Sequence, residues 1–546
     1  MSKRTWILGG VTLIALSVLL AVGALYYSRG PIRALIRHRT EAYLSARFQS
    51  QVRFRSFDVS LQHGLDMDVT VNGLTLRHKG RTDLPPLVKI RSASFETSLG
   101  GILRKKVHIR RVQLEGLQID TPPRQPGAGR SANGTDEKLA KKYPVVIEEI
   151  VADDAVLEPL PSDPSKTPRP FFIHHVEMHD FQFDRPARFE AQLTNPVPRG
   201  EIACAGEFGP WHAEDPSSTP VTAQFTFEHA DLGTLKGISG TLSSRGNFTG
   251  PLDELQVNGE TDTPNFAVRT SSAPVDLRTE YSAIVDGTNG DVILKKVTAT
   301  FLGTTLIVRG RVVDLTPRKG RTIELDATAQ KAPVQDLLQL AARTEKPAMT
   351  GDARLHVKID IPEKKQDLIE RMRLNGRFEV GDVVFTNHKI QGRINTLSHK
   401  AQGDPRLGSK GREESTVRGT FRMENGVLRF SRLNFGVEGA AMSAAGTYSM
   451  DTGQLDFRGK LHLEASLSKT TTGVKSLLLK AVEPFFRGKN GGAVLPIKIT
   501  GTKDQPKYGL DLFDSHKENA AASTASAAKS GGGAVLDAAA SSDAAR

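Results

Sequence analysis

The chain's 546 residues, 38% hydrophobic and 25% charged, exclude both a single compact core and wholesale disorder. Aromatics are scarce at 6% while glycine (50) and proline (29) are plentiful, which favours turn-rich β structure; one cysteine, Cys204, excludes an intramolecular disulfide or a several-thiolate metal site. Of the net charge of +12, residues 1–121 carry +11, from 19 Lys and Arg against 8 Asp and Glu, so the excess sits beside an apolar segment and not along an aromatic-laced nucleic-acid face.

Residues 1–30 read as a short basic tail and a membrane anchor. Trp6 to Tyr27 is an uncharged run of 22 residues, enough at ~1.5 Å per residue to cross a ~30 Å hydrocarbon core as a helix. Leu13 and Leu20 lie within it, and Trp6, Tyr26 and Tyr27 stand at its ends, where amphipathic rings prefer the interface. Ala21-Val22-Gly23 offers the alternative of a cleaved signal peptide, although the run exceeds the usual ~7–15 residue apolar region. Topology is contested within the residues themselves. Arg29, Arg33, Arg37, Arg39 and Arg47 outnumber Lys3 and Arg4, which by positive-inside counting keeps the body in the cytoplasm, whereas the form of the segment is that of an uncleaved signal anchor exporting the downstream chain.

Residues 31–121 open with a helical pattern from Pro31, with Ile32, Leu35, Ile36, Tyr43 and Leu44 on one face, and change to a period of two at Val52. Short alternating strands come next, among them Leu65 to Val71 with Val69 and Val71, Val107/Ile109 and Val112/Leu114, interrupted by glycine, asparagine or phase slips that suggest turns and bulges. Residues 122–141 read as a linker or exposed loop, 142–330 as a middle β-rich region, and 331–512 as a further β region. Two helices are predicted in the last, Pro333 to Arg343 and Thr472 to Phe486, each with an apolar packing stripe. Clear strands include Phe171 to Phe183, Val292 to Thr300, Thr305 to Val313 and Gln454 to Leu463, while residues 513–546 read as a disordered Ala/Ser-rich tail. Leu374 to Asn387 and Val417 to Arg432 share a weak repeat that repeated hairpins would explain.

No constellation for chemistry emerges. Gly-x-Ser-x-Gly is absent, and the glycine-rich stretch Gly488 to Gly492 lacks the Gly-Lys-Ser/Thr of a phosphate loop. Alternation places His175, Glu177 and His179 on one strand face, a set able to hold a divalent metal, but also what a solvated face presents between Val176 and Met178. The reading is a protein that is not an enzyme, with no catalytic residues, cofactor or metal.

The order of segments resembles AsmA-like proteins, within the wider group that includes TamB and the chorein-type bridge-like lipid transfer proteins. The resemblance rests on the basic anchor, on Ala46 to Leu76, and on the run from Val88 through Gly100-Gly101-Ile102-Leu103 to Ile119. It continues in Lys346 to Pro362, Arg418 to Phe435, Ala444 to Leu461 and Val494 to Pro506. It implies a protein anchored in the bacterial inner membrane by a single pass, with its body in the periplasm, and a role in outer-membrane lipid homeostasis with phospholipids as partners and no nucleic acid. The expected fold is mainly β: an N-terminal transmembrane helix, then an elongated, curled antiparallel sheet forming a groove or stacked sandwich, with roughly 28 strands and a few amphipathic helices. Val69, Val71, Ile109 and Leu114 are candidate groove-lining residues. The competing reading is an assembly factor that engages outer-membrane or periplasmic proteins through sheet edges.

Overall fold

The computed structural model describes residues 38, 41 and most of 50–511; outside that description lie 62–65, 79–84, 87, 99–106, 122–144, 160–169, 183, 211–217, 288, 315–320, 343–345, 364–365, 403–414, 466–491, 504 and the remaining residues before 50 and after 511. The anchor with Trp6, Leu13, Leu20, Tyr26 and Tyr27, the linker 122–141, the helix Thr472 to Phe486 and the tail 513–546 therefore lie outside the described residues, as does the helix from Pro31 apart from the helical His38 and Glu41. Among the described residues no helix is long and apolar enough to cross a membrane.

The described chain is mainly β, with twenty-six strands. β1 (Ser50–Arg53) and β2 (Ser56–Leu61) both pair with β3 (Asp66–His78), which pairs with β4 (Val88–Ser98). β4 in turn pairs with β5 (Val107–Glu115) and β6 (Gln118–Thr121), all of these antiparallel. β7 (Val145–Pro159) breaks the pattern by running parallel to β5 and β6. The sheet is thus mixed, which corrects the antiparallel expectation. Parallel neighbours need a crossover connection, and residues 122–144 separate β6 from β7.

From β7 the strands succeed one another as a meander of antiparallel neighbours. It runs through β8 (Phe171–Phe181), β9 (Ala187–Pro196), β10 (Arg199–Phe208) and β11 (Pro220–Asp231), past the two-residue β12 (Ile238–Ser239), and on to β13 (Thr241–Pro251) and β14 (Leu255–Val268). β15 (Val275–Val285), β16 (Val292–Phe301), β17 (Thr304–Asp314) and β18 (Arg321–Pro333) extend it. Helix α1 (Val334–Ala341) starts directly after Pro333, whose fixed φ suits a helix start. Its Asp336 carboxylate, nearly buried, accepts hydrogen bonds from the Gly303 amide at 2.9 Å and the Thr304 hydroxyl at 3.1 Å, so the helix is tied to the turn between β16 and β17. Thr270 and Ser272 donate to its last carbonyls.

Contacts divide the chain into two units, Met1–Pro347 with Arg354–Leu374, and Ala348–Ala353 with Asn375–Arg546; β19 (Met349–Ile361) and β20 (Arg373–Phe385) are shared between them. The short helix α2 (Leu368–Arg371) belongs to the first unit. In the second, helix α3 (His388–Ala401) precedes an antiparallel meander of β21 (Thr416–Glu424), β22 (Val427–Val437), β23 (Ala440–Ser449), β24 (Gln454–Leu463), β25 (Ala493–Thr502) and β26 (Pro506–Leu510). α3 is not among the helices that the sequence pattern predicts. Its charged and amide residues hide the signal, yet Ile390, Ile394, Leu397 and Ala401 fall at helical spacing, and the Asn387 side chain caps the start by accepting from the amides of Lys389 and Ile390. Only the second copy of the expected repeat is a hairpin, turning at Asn425-Gly426, both at positive φ. In the first copy β20 stays one strand, and Asp382 at φ 49° is a local irregularity within it.

Candidate apolar groove face

Strand register aligns the alternating apolar positions of the first unit into two continuous rows. One starts at Val71 and passes through Ala93, Leu114, Ala152 and Val176 to Ala191 on β9. It continues from Cys204 through Phe225, Gly246, Gly259, Tyr281 and Val297 to Val308 and Ala327 on β18. The second row, two residues along each strand except β16, where a bulge makes it three, begins Val69, Phe95, Val112, Ile150, Met178 and Phe189. It proceeds by Gly206, Ala223, Phe248, Val257, Ala283 and Leu294 to Gly310 and Leu325. Neither row contains a charged residue. Each crosses fourteen strands, a contour of about 60 Å at ~4.8 Å per strand.

Three of the four expected groove residues belong to these rows, Val71 and Leu114 to the first and Val69 to the second. Ile109 extends the same face through its pairing with Ile147, which faces Phe181. Asp180, at φ 55°, is skipped in that register, and the skip returns Phe181 to the apolar side.

Cover over the rows is uneven. At the N-terminal end the interior is closed: Val69 and Ile109 are 0% exposed and Val71 1%, with only Leu114 of the four half-buried. From β10 to β18 the large side chains Phe225, Tyr281, Val308, Phe248, Val257 and Leu294 are half-buried, and only Ala223, Ala283 and Ala327 are buried. A sheet whose apolar face is packed against a second layer would bury these completely.

A few hydroxyls line this stretch and satisfy one another. Tyr281 lies across Gly259, where a Cβ would meet its hydroxyl at 2.7 Å, and reaches Ser244 at 3.0 Å; Thr261 and Thr279 pair at 2.7 Å. Burial pushes the Tyr281 phenol up, against a smaller opposing effect of the Ser244 hydrogen bond, and burial also pushes the Cys204 thiol up. Cys204 is a half-buried member of the first row, a small apolar side chain among others.

A cavity of about 980 Å3 spans β8 to β16. Its lining takes Cys204 together with both sequence neighbours, Ala203 and Ala205, and none of Phe248, Val257 or Ala283 from the second row. Its lining follows the first row through Phe225, Gly246, Gly259 and Tyr281 and takes in the polar residues on either side of it, among them Gln224, Thr226, Arg245 and Glu260.

The polar face also carries the histidine constellation. His175 Nδ1 donates to Asp153 Oδ1 at 2.7 Å, its Nε2 lies 3.5 Å from Glu177, and His179 Nε2 lies 3.0 Å from the other Glu177 oxygen. The nitrogens are thus engaged by carboxylates strung along the face, and among the described residues no group of three or more His, Cys, Asp or Glu could hold a metal ion. Asp153 foremost, and Glu177, hold the His175 imidazolium above its ordinary 6.5, partly opposed by burial. Gln192 faces it from β9. Because the folded value is raised, the attraction is fully present below the unfolded value and fades as pH rises through the folded one. The melting temperature of the parent should therefore exceed that of His175→Gln slightly at about pH 5 and converge with it by about pH 8; a gap that widens with pH would show the sign to be wrong.

Comparison of the chain with protein-family models, with curated proteins and with solved structures finds no match.

Proposed function

We propose that the chain is a non-enzymatic lipid-handling protein of the bacterial envelope, anchored in the inner membrane with its body in the periplasm, that shelters phospholipid acyl chains on its apolar sheet face. The observation that supports this reading is the pair of uncharged rows crossing fourteen strands, half-buried from β10 to β18. An acyl chain needs a continuous strip without charge and without ordered backbone donors, since each unpaired polar group it covered would cost about 1–3 kcal/mol. Backbone groups in these strands are engaged in the sheet, and the hydroxyls of Ser244, Thr261, Thr279 and Tyr281 are already paired. Anchoring and export rest on the Trp6 to Tyr27 segment and on the family resemblance.

The test places a photo-crosslinking side chain at Phe225, on the first row, or at Thr226, its neighbour on the polar face, in the full chain within cells. Phospholipid adducts are expected from position 225 and not from 226. Equal yields at both positions, together with no phospholipid bound to the purified parent, would remove the lipid reading and leave the assembly factor.

A further inference from the structure

The second unit's polar face differs from that of the first in how its charges meet. In the first unit cations oppose anions: Arg278 lies 3.4 Å from Asp262, Arg311 2.7 Å from Glu324, and Arg245 is ion-paired to Glu260, which also faces Glu280. In the second, β21 carries Arg418 and Arg422 outward, and β22 carries Arg429 and Arg432. Arg458 and Lys460 on β24, Lys498 on β25 and Lys507 on β26 share that side, against two acids in these strands, Glu424 and Asp456.

Two pairs of these cations stand directly opposite each other, Arg422 with Arg429 and Arg458 with Lys498. Like charges in that position destabilise a sheet. Arg458 has Asp511 at 3.8 Å, and Ala445, opposite it on β23, adds no bulk on that side. A fold that retains two such pairs on a cationic side spanning six neighbouring strands, about 24 Å, presents an extended field for an anionic surface.

We propose that this face docks on an anionic lipid surface. Charge complementarity supplies the attraction, at several headgroups at once. The exposed Tyr508 and Leu510 of the last strand take no part in this face: they pair with Ile499 and Ile497 and so lie on the opposite side from Lys507. A cluster of cations with few acids among them is the composition of an electrostatic contact with anionic headgroups. A single-stranded nucleic acid fits less well, because it needs aromatic platforms among the cations. Here the phenylalanines lie on the opposite side, where Phe430 contacts Phe421 at 6.2 Å and Phe457 at 5.6 Å. The proposal is independent of the groove, since a chain holding no acyl chain could still dock.

The test uses the full chain in phosphatidylcholine nanodiscs, mixed with vesicles of phosphatidylcholine alone or containing phosphatidylglycerol, with capture measured by flotation. The parent is expected to capture only the anionic vesicles, and less as salt rises. Arg422→Gln, Arg429→Gln and Lys498→Gln should each weaken capture by about fivefold, and by about a hundredfold together. Because these changes relieve like-charge pairs and leave Arg458 with Asp511, the melting temperature should stay level or rise. Equal capture of both vesicle types, unchanged capture by the triple variant, or a melting temperature that falls together with capture would each overturn the proposal. So would tighter binding of the parent to a single-stranded oligonucleotide than to the anionic vesicles at equal phosphate. Failure here leaves the crosslinking result at Phe225 untouched, so the two readings are separable.

Discussion

Val71→Asp is expected to unfold the N-terminal strands of the first unit, whereas Val308→Asp, on the same row, should leave the fold standing and strip the protein of phospholipid. Val71 is 1% exposed, and its neighbours Ala93 and Val69 are 3% and 0% exposed. A carboxylate there has neither water nor a partner, and the cost of several kcal/mol is comparable to the whole stability of a domain. Val308 is half-buried between Val297 and Ala327, so a carboxylate there can reach solvent and costs about 1–2 kcal/mol. On an acyl path the same charge stands where hydrocarbon must lie. Thermal unfolding and mass spectrometry of co-purified lipid on both variants decide the matter. If Val308→Asp unfolds as readily as Val71→Asp, or keeps its lipid, the β10 to β18 face is not a lipid path.

Gly206→Val should be a strongly damaging apolar substitution on the rows. A Cβ at Gly206 would overlap the Thr222 carbonyl oxygen and the Ala223 Cα, both backbone atoms of β11 that cannot turn aside as a side chain can. The strands must separate, at a cost of about 3 kcal/mol or more. Gly381→Ala is the control: a Cβ there meets nothing within 4 Å, and the change should stay within about 0.5 kcal/mol. Chemical denaturation of both variants checks the ordering. Equal midpoints would mean that β10 and β11 are not drawn together at Gly206.

Much of the fold is legible from alternation alone, because period two is a local property of each strand. Gln454 to Leu463 has the bounds that the pattern predicts, Val292–Phe301 is one residue longer than expected at its end, and Thr304–Asp314 is one residue longer at each end. Proline before an apolar stripe locates α1, within a residue at its start and two at its end. α3 escapes because its stripe of Ile390, Ile394 and Leu397 is diluted by Lys, Arg, Gln and His, and packing of Ala401 against Ala440, Leu463 and Ala493 supports it more than propensity does. The candidate site is half legible. Val69, Val71 and Leu114 can be assigned to one face by counting, but that they join Cys204, Phe225 and Val308 depends on register between strands, which no local pattern carries. Nor does alternation say whether an apolar face is covered. Val71 and Val308 look alike in sequence and differ in what lies over them.

The parallel crossing at β7 imposes an order of events on the newly made chain. Each strand of the meander from β7 to β18 finds a partner in a neighbour, so it can zip together hairpin by hairpin with little loop entropy to overcome. β5 and β6 cannot finish in that way, because one side of each waits for a strand that begins at Val145, 30 residues after Glu115. At synthesis rates of about 5–20 residues per second, an unpaired apolar edge containing Ile109, Val112 and Leu114 stays open for roughly 2–9 s before β7 is complete. For that interval β5 is an open template for strands of other chains, and the charged residues that punctuate it, Arg110, Arg111 and Glu115, are the kind of side chain that discourages such pairing.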